Sequence, residues 1–278
     1  MILIRKIKTA INLIKKYFST LHITKNLIKG SVPLYNLKLV EKSDLMVLVP
    51  HADDEWIGCS SLLQKYSDYT FLVNVDMSGD GEPIEIHNER YKELMNVIVK
   101  YNLKHFTLKG DYNIKIEQLS KLLLEKKPNY IAVPCYVDWH EEHIETMHIL
   151  KNALEMIKSK WGGVAHILMY QVSVPIPEDL ITHYMGMSKK DYKFKWKYFD
   201  KVYKTQRQIA WYRYRCNERI NGALCNMFAA EVFSVAKSLD WVENLDNMIL
   251  SEEKRLLIKK NLGDLQYVRE LVGNKKRI

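Results

Sequence analysis

The chain has 278 residues, 47% hydrophobic and 27% charged, with a formal net charge of +9. That length allows one large domain with a sizeable core, and the composition excludes an intrinsically disordered chain. Four cysteines (Cys59, Cys135, Cys216, Cys225) form no Cys-x-x-Cys pair, which excludes a disulfide scaffold and suits a reduced, cytoplasmic protein.

Residues 1–40 contain eight Lys/Arg and no acidic residue. Leu3, Ile7, Ile11, Ile14, Phe18 and Leu21 recur at helical spacing, with lysines on the remaining arc. The spacing predicts a basic amphipathic helix over 1–30, closed by Gly30-Ser31-Val32-Pro33. Arg5, Lys6, Lys8, Lys15 and Lys16 interrupt its apolar residues, so it is not read as a signal peptide. No stretch reaches the 18 or so uncharged apolar residues that span a bilayer. Two roles stay open for this helix. It packs on the following domain, or it lies on an anionic membrane as a peripheral contact on the inner face through residues 1–29.

From Leu45 the pattern alternates between strand and helix. Strands are expected at Leu45–Val49, Thr70–Val75, Phe106–Leu108, Tyr130–Val133 and His166–Val174. Helices are expected at Ile57–Tyr66, Asn88–Tyr101, Ile116–Glu125 and Glu141–Lys158. Such alternation predicts an α/β fold, a Rossmann-like and mostly parallel sheet covered by helices on both faces. Tyr198–Arg215 reads as helical, Ala230–Val235 as a late strand or a helix start, and 239–271 as helical. The expected organisation is the basic helix 1–30, a domain over 43–235 and a helical extension over 236–278 packed on it.

Two polar clusters close strands of this pattern. Pro50-His51-Ala52-Asp53-Asp54-Glu55 follows Leu45–Val49, and Asp138-Trp139-His140-Glu141-Glu142-His143 follows Tyr130–Val133. In an open α/β sheet both would reach the carboxyl rim, where ligands bind. Alone, an Asp-Asp pair is usually a helix cap and a His-x-x-His pair is usually surface decoration. Together they offer two strand ends bearing histidines and carboxylates, the donor set of a catalytic zinc or similar divalent ion with an open water position.

At these residues the chain resembles the zinc-dependent N-deacetylases that include the N-acetylglucosaminyl-phosphatidylinositol deacetylases, the mycothiol-pathway deacetylase and the LmbE-like proteins. His51-Ala52-Asp53-Asp54-Glu55 resembles that family's His-Pro-Asp-Asp-Glu motif, and His140-Glu141-Glu142-His143 its His-Pro-Asp-His motif. Ser78-Gly79-Asp80-Gly81, Arg90-x-x-Glu93, Asp111, Met169–Val172 and Ala230–Phe233 resemble further segments, so the likeness covers about 43–235. It implies one Zn²⁺ per chain, or another divalent metal, on His51, Asp54 and His143. It implies Asp53 as general base and a protonated His140 as partner of the oxyanion and leaving group. Arg90 and Asp111 would contact the sugar, Glu142 would orient His140, and Asp138 stands behind the ligands. Where some members carry an oxyanion-hole tyrosine this chain has Asp138, for which Tyr136 is a candidate substitute. Their late Ser-Gln is Arg213-Tyr214 here.

The implied activity is removal of the acetyl group from an N-acetyl amino sugar. Residues 192–214 interleave nine aromatics with cations, and 189–215 hold ten Lys/Arg against Asp191 and Asp200. That stretch is expected to wall the cleft and to favour an anionic or phosphate-linked sugar, rather than nucleic acid, as partner. The rival readings are a non-catalytic membrane- or polyanion-binding protein on the same fold, and a metal-dependent amidohydrolase for a non-sugar substrate.

Overall fold

The structure is a computed structural model that describes residues 33–76, 83–206 and 213–273. The helix expected over 1–30, the Ser78–Gly81 loop, Trp211 and Tyr212 lie outside the described residues. In chain order the elements are β1 (Tyr35–Asn36), β2 (Leu45–Val49), α1 (Asp54–Tyr66), β3 (Thr70–Val75), α2 (Ile84–Lys100), β4 (Lys104–Leu108), α3 (Tyr112–Lys126), β5 (Tyr130–Pro134), α4 (Glu141–Trp161), β6 (His166–Tyr170), β7 (His183–Met187), α5 (Lys189–Val202), α6 (Arg213–Leu224), β8 (Ala229–Lys237), α7 (Ser238–Met248), α8 (Glu252–Asn261) and α9 (Leu265–Val272).

The eight described strands form one sheet in the order β1-β7-β8-β6-β5-β2-β3-β4. Every pairing is parallel except those of β8, which runs antiparallel to β6 and β7. The expected α/β architecture is therefore present. Strand side chains alternate between faces, and the core divides accordingly. Met46 and Leu48 of β2 join Ile131 and Val133 of β5 beneath α3, α4 and the C-terminal helices. Leu45, Val47 and Val49 face α1, α2 and α5. β2 is buried throughout, so it reads as an unbroken apolar run rather than an alternating one.

α1 lies close on the sheet because residue 58 is glycine. A Cβ there would come within 2.3 Å of the Tyr170 ring, and Tyr170 donates its hydroxyl to the Leu48 carbonyl at 2.7 Å. The C-terminal helices share the main core. Trp241 and Leu245 of α7, Ile258 of α8 and Val268 of α9 are buried with it. Arg255 of α8 pairs with Glu141 at the start of α4 at 2.8 Å.

Two expectations about the basic stretch are corrected. The helix expected over 198–215 is interrupted: α5 begins at Lys189 and ends at Val202, and α6 begins at Arg213. α5 also does not wall the cleft with its cations. It turns Trp196 and Phe199 into the core and leaves Lys193, Lys197 and Lys201 exposed. Its one buried lysine, Lys195, donates to the Ile57 carbonyl (2.7 Å) and to Glu231 (2.6 Å), and pairs with Glu218. Glu231 in turn accepts from the Ser60 hydroxyl and the Ser61 amide. One ammonium and two carboxylates thus lock α5, α1, α6 and β8 together. Among the described residues no helix is long and apolar enough to cross a membrane.

Burial pushes Glu218 up to about 7 even beside Lys195. Lys195→Met should therefore destabilise the fold by about 3–5 kcal/mol, because it leaves two buried carboxylates without their cation. Unfolded glutamates ionise near pH 4.3. Folded Glu218 deprived of Lys195 holds its proton to higher pH, so the native state binds more protons and the deficit grows as pH rises. Urea denaturation should show a larger loss at pH 8 than at pH 5.

Candidate metal centre

The parallel pairing of β2 with β5 (Leu45↔Tyr130, Val47↔Ala132) brings the two polar clusters side by side at the carboxyl rim. They open into a cleft of about 390 Å³, within the range of small-molecule sites. His51, His140 and His143 present ring nitrogens within 4.8 Å of one another there. Asp54 completes a tighter set. His51 Nδ1 lies 3.1 Å from Asp54 Oδ2 and 3.1 Å from His143 Nε2, and His143 Nε2 lies 3.2 Å from Asp54 Oδ2.

This triangle fits a metal ion. A tetrahedral ion with bonds of about 2.0–2.1 Å spaces its ligands about 3.3 Å apart. His143 is buried and its Nδ1 meets Asp138 Oδ2 at 2.9 Å, which fixes the tautomer that leaves Nε2 for a cation. Asp138 is itself held by the Ser173 hydroxyl (2.7 Å) and the Trp139 and His140 amides. Burial opposes charge on Asp54, but His143 and His51 hold its carboxyl well below the usual range. Burial likewise disfavours a charged His143, yet Asp54 and Asp138 raise it well above an ordinary histidine. A divalent cation would take over the role of that proton.

Asp53 caps α1 with φ of 141°, a strained backbone for a non-glycine residue. Its amide meets Glu55 Oε2 at 3.1 Å, and the other oxygen of fully buried Glu55 accepts from the Tyr203 hydroxyl. These bonds hold the turn that carries Asp53 beside Asp54. Burial first, then the charges of Asp54 and Glu55, push the Asp53 carboxyl well above the usual range, against Arg90.

The other expected residues divide. Arg90 lines the cleft, and Gln206, with its amide oxygen turned inward, accepts from Arg90 Nε and Nη2 at 2.9 and 3.0 Å. Glu93, one turn on, fastens Thr205 through its amide (3.0 Å) and hydroxyl (2.7 Å). Asp111 is not among the cleft residues: it is exposed and caps α3 by accepting from the Ile114 amide at 3.0 Å. Asp76, which directly follows β3, lines the cleft instead and stands 3.4 Å from His87.

Glu142 was expected on His140. Its Oε2 contacts His51 Nε2, while His140 Nδ1 lies 3.6 Å away, too far for a hydrogen bond. His140 Nδ1 is buried without a hydrogen bond among the described residues. Burial, His143 and His51 push His140 down to about 3. Tyr136 points away: it is fully buried in the core and its hydroxyl has no hydrogen bond among the described residues. Tyr214, of the aromatic stretch expected to wall the cleft, does line it, and so does Trp139, which was not singled out for it from sequence.

No family model matches the chain. Solved structures do share its fold. The N,N'-diacetylchitobiose deacetylase from Pyrococcus horikoshii, in complex with an inhibitor, superposes with a TM-score of 0.54 at 15% identity, over 72% of this chain and 85% of that one. A conserved protein from Thermus thermophilus gives 0.52 at 18% identity, over 69% of this chain and 93% of its own. The A40926 pseudoaglycone deacetylase gives 0.52 at 14% identity, over 70% and 98%. At these identities the likeness is one of fold.

Asp138→Asn keeps the shape and the Oδ1 contacts but exchanges a carboxylate for an amide at His143 Nδ1. Divalent-metal affinity, read by competition with a chromophoric chelator, should fall about 10–100-fold, with the far-ultraviolet circular dichroism unchanged.

Proposed function

We propose that the protein is a metal-dependent hydrolase that removes the acetyl group from an N-acetylated amino sugar. The observation that carries this reading is the His51–Asp54–His143 triangle, with the Asp53 carboxyl beside it on the wall of one cleft. That two of the fold relatives above are deacetylases supports it.

Zn²⁺, or a neighbouring divalent ion, is the cofactor expected for two imidazoles and one carboxylate. When bound it would supply a Lewis acid and lower the pKa of a coordinated water towards about 7. The protein's own groups do the rest. His51, Asp54 and His143 hold the ion, and Asp138 keeps His143 in its ligating tautomer. Asp53 accepts a proton from the water that attacks the acetyl carbon. His140, on the cleft wall and stacked on His143 (4.9 Å between ring centroids), offers a ring N–H to the oxygen that gains charge. As the carbon–nitrogen bond breaks, the proton held by Asp53 passes to the departing nitrogen, so the products are acetate and the free amine. Arg90 contacts the sugar. The substrate is expected to be anionic, in keeping with two arginines on the cleft wall.

A protein that only binds membranes or polyanions has no use for a buried ligand triangle beside a strained carboxylate. A non-sugar amide would use the same chemistry, and direct assay separates it.

Elemental analysis should find about one metal ion per chain in the wild type and none in His143→Ala. Asp53→Asn should keep the metal and lose about 10²–10⁴-fold in acetate release from N-acetyl sugars, the range of general-base catalysis. Retained turnover in that variant would remove Asp53 as the base. Absence of metal from both proteins, even after added zinc, would overturn the whole reading.

A further inference from the structure

We infer that Arg213 forms an anion subsite in the cleft and selects a substrate carrying a phosphate or carboxylate group in addition to the amide. The inference rests on the deacetylase reading for the substrate's identity as an N-acetyl sugar, but not for the subsite itself.

Arg213 opens α6 and lines the cleft that Asp53 and His143 also line. It is held in place by its neighbour. Nη2 donates to the Tyr214 hydroxyl at 2.9 Å, and the guanidinium carbon lies 4.8 Å from the centre of the Tyr214 ring. Its charge is otherwise unanswered. Nε is buried without a hydrogen-bond partner, and no carboxylate pairs with Arg213 among the described residues. Arg219 likewise has no ion pair among the described residues, but it lies over the Phe228 ring (3.6 Å) and is not among the cleft residues; three other arginines do have carboxylate partners. Arg215 pairs with Asp200 at 2.8 Å, Arg255 with Glu141 at 2.8 Å, and Arg269 with Glu178.

A fixed guanidinium with a spare buried donor suits an oxyanion. Its planar fork matches the paired oxygens of phosphate or carboxylate, and the contact is charge-assisted. Arg90, the other arginine of the cleft, is already engaged by Gln206 and by the nearby Asp53 charge. The lysines of α5 that first suggested an anionic ligand are exposed outside the cleft. The selectivity read from the whole basic stretch therefore narrows to one residue.

The test is equilibrium binding to the full chain, by isothermal titration, with turnover suppressed by Asp53→Asn. The probes are N-acetylglucosamine, N-acetylglucosamine 6-phosphate, N-acetylmuramic acid and inorganic phosphate. At least one of the two anionic sugars should bind ten-fold or more tightly than the neutral sugar, and which one does so separates phosphate from carboxylate. Adding Arg213→Gln should erase that preference while leaving the neutral sugar's affinity unchanged. Arg213→Lys, which keeps the charge but not the fork, should restore only part of it. Equal binding of neutral and anionic sugars, or a preference that survives Arg213→Gln, would overturn the subsite. If inorganic phosphate binds and is lost in Arg213→Gln while no sugar binds, and none releases acetate with the wild-type protein, the subsite stands and the sugar reading falls. If phosphate also fails to bind, the subsite falls.

Discussion

Everything at the site depends on one backbone ladder, the parallel pairing of β2 with β5. The two strands are far apart in sequence, yet the register Leu45↔Tyr130 aligns their carboxyl ends. Because side chains alternate along a strand, a slip of one residue would turn each cluster toward the opposite face. β2 is apolar on both faces, so its register is set not by alternation but by how its individual side chains pack into the two core layers. The ligand triangle is therefore specified by apolar packing rather than by its own polar contacts. This order of causes matters, because a buried and a half-buried histidine beside a buried carboxylate would not assemble unaided.

The second requirement is rigidity at the start of α1. Asp53 sits in a strained turn, and strain persists only where surroundings over-determine it. Here the surroundings are Glu55 with Tyr203 on one side and the Lys195–Glu231–Ser60 contacts one turn further along. α5 therefore acts as a brace. Its aromatic residues fill the core, its one buried ammonium ties three other elements, and its end at Tyr203 reaches the turn that carries the Asp53 carboxyl.

Much of this was legible in the sequence because the relevant signals are local. An apolar run followed by His-x-Asp-Asp, and another followed by His-x-x-His, locate strand ends without any tertiary knowledge. What escaped was non-local or ambiguous. Asp111 before a helical pattern is equally a cap and a ligand, and in the structure it caps α3 and is not among the cleft residues. Asp76 could have been found by the argument used for His51, since it too directly follows an apolar strand. β7 was invisible because Gly186 breaks the pattern of His183–Met187, and it does so to admit Met227, whose side chain would lie 2.6 Å from any Cβ there. The fate of Lys195 could not be read, since its partners Glu218 and Glu231 come from other elements. Glu142 meeting His51 instead of its near neighbour His140 is likewise a fact of three dimensions.

The position of β8 has a consequence for the order of assembly. In the sheet it lies between β6 and β7, although it is the last strand in the chain. The strands β6-β5-β2-β3-β4 form an unbroken block that needs no later residue for its internal pairing. β1 and β7 can join the rest only after β8 has emerged, some sixty residues past the end of β6 during synthesis. His51, Asp54 and His143 all belong to the early block, whereas Tyr203, Gln206 and Arg213 arrive with the late one. A nascent chain would thus acquire its capacity to capture a metal before it acquires the cleft that selects a ligand, and metal captured at that stage would stabilise the block on which the remainder docks.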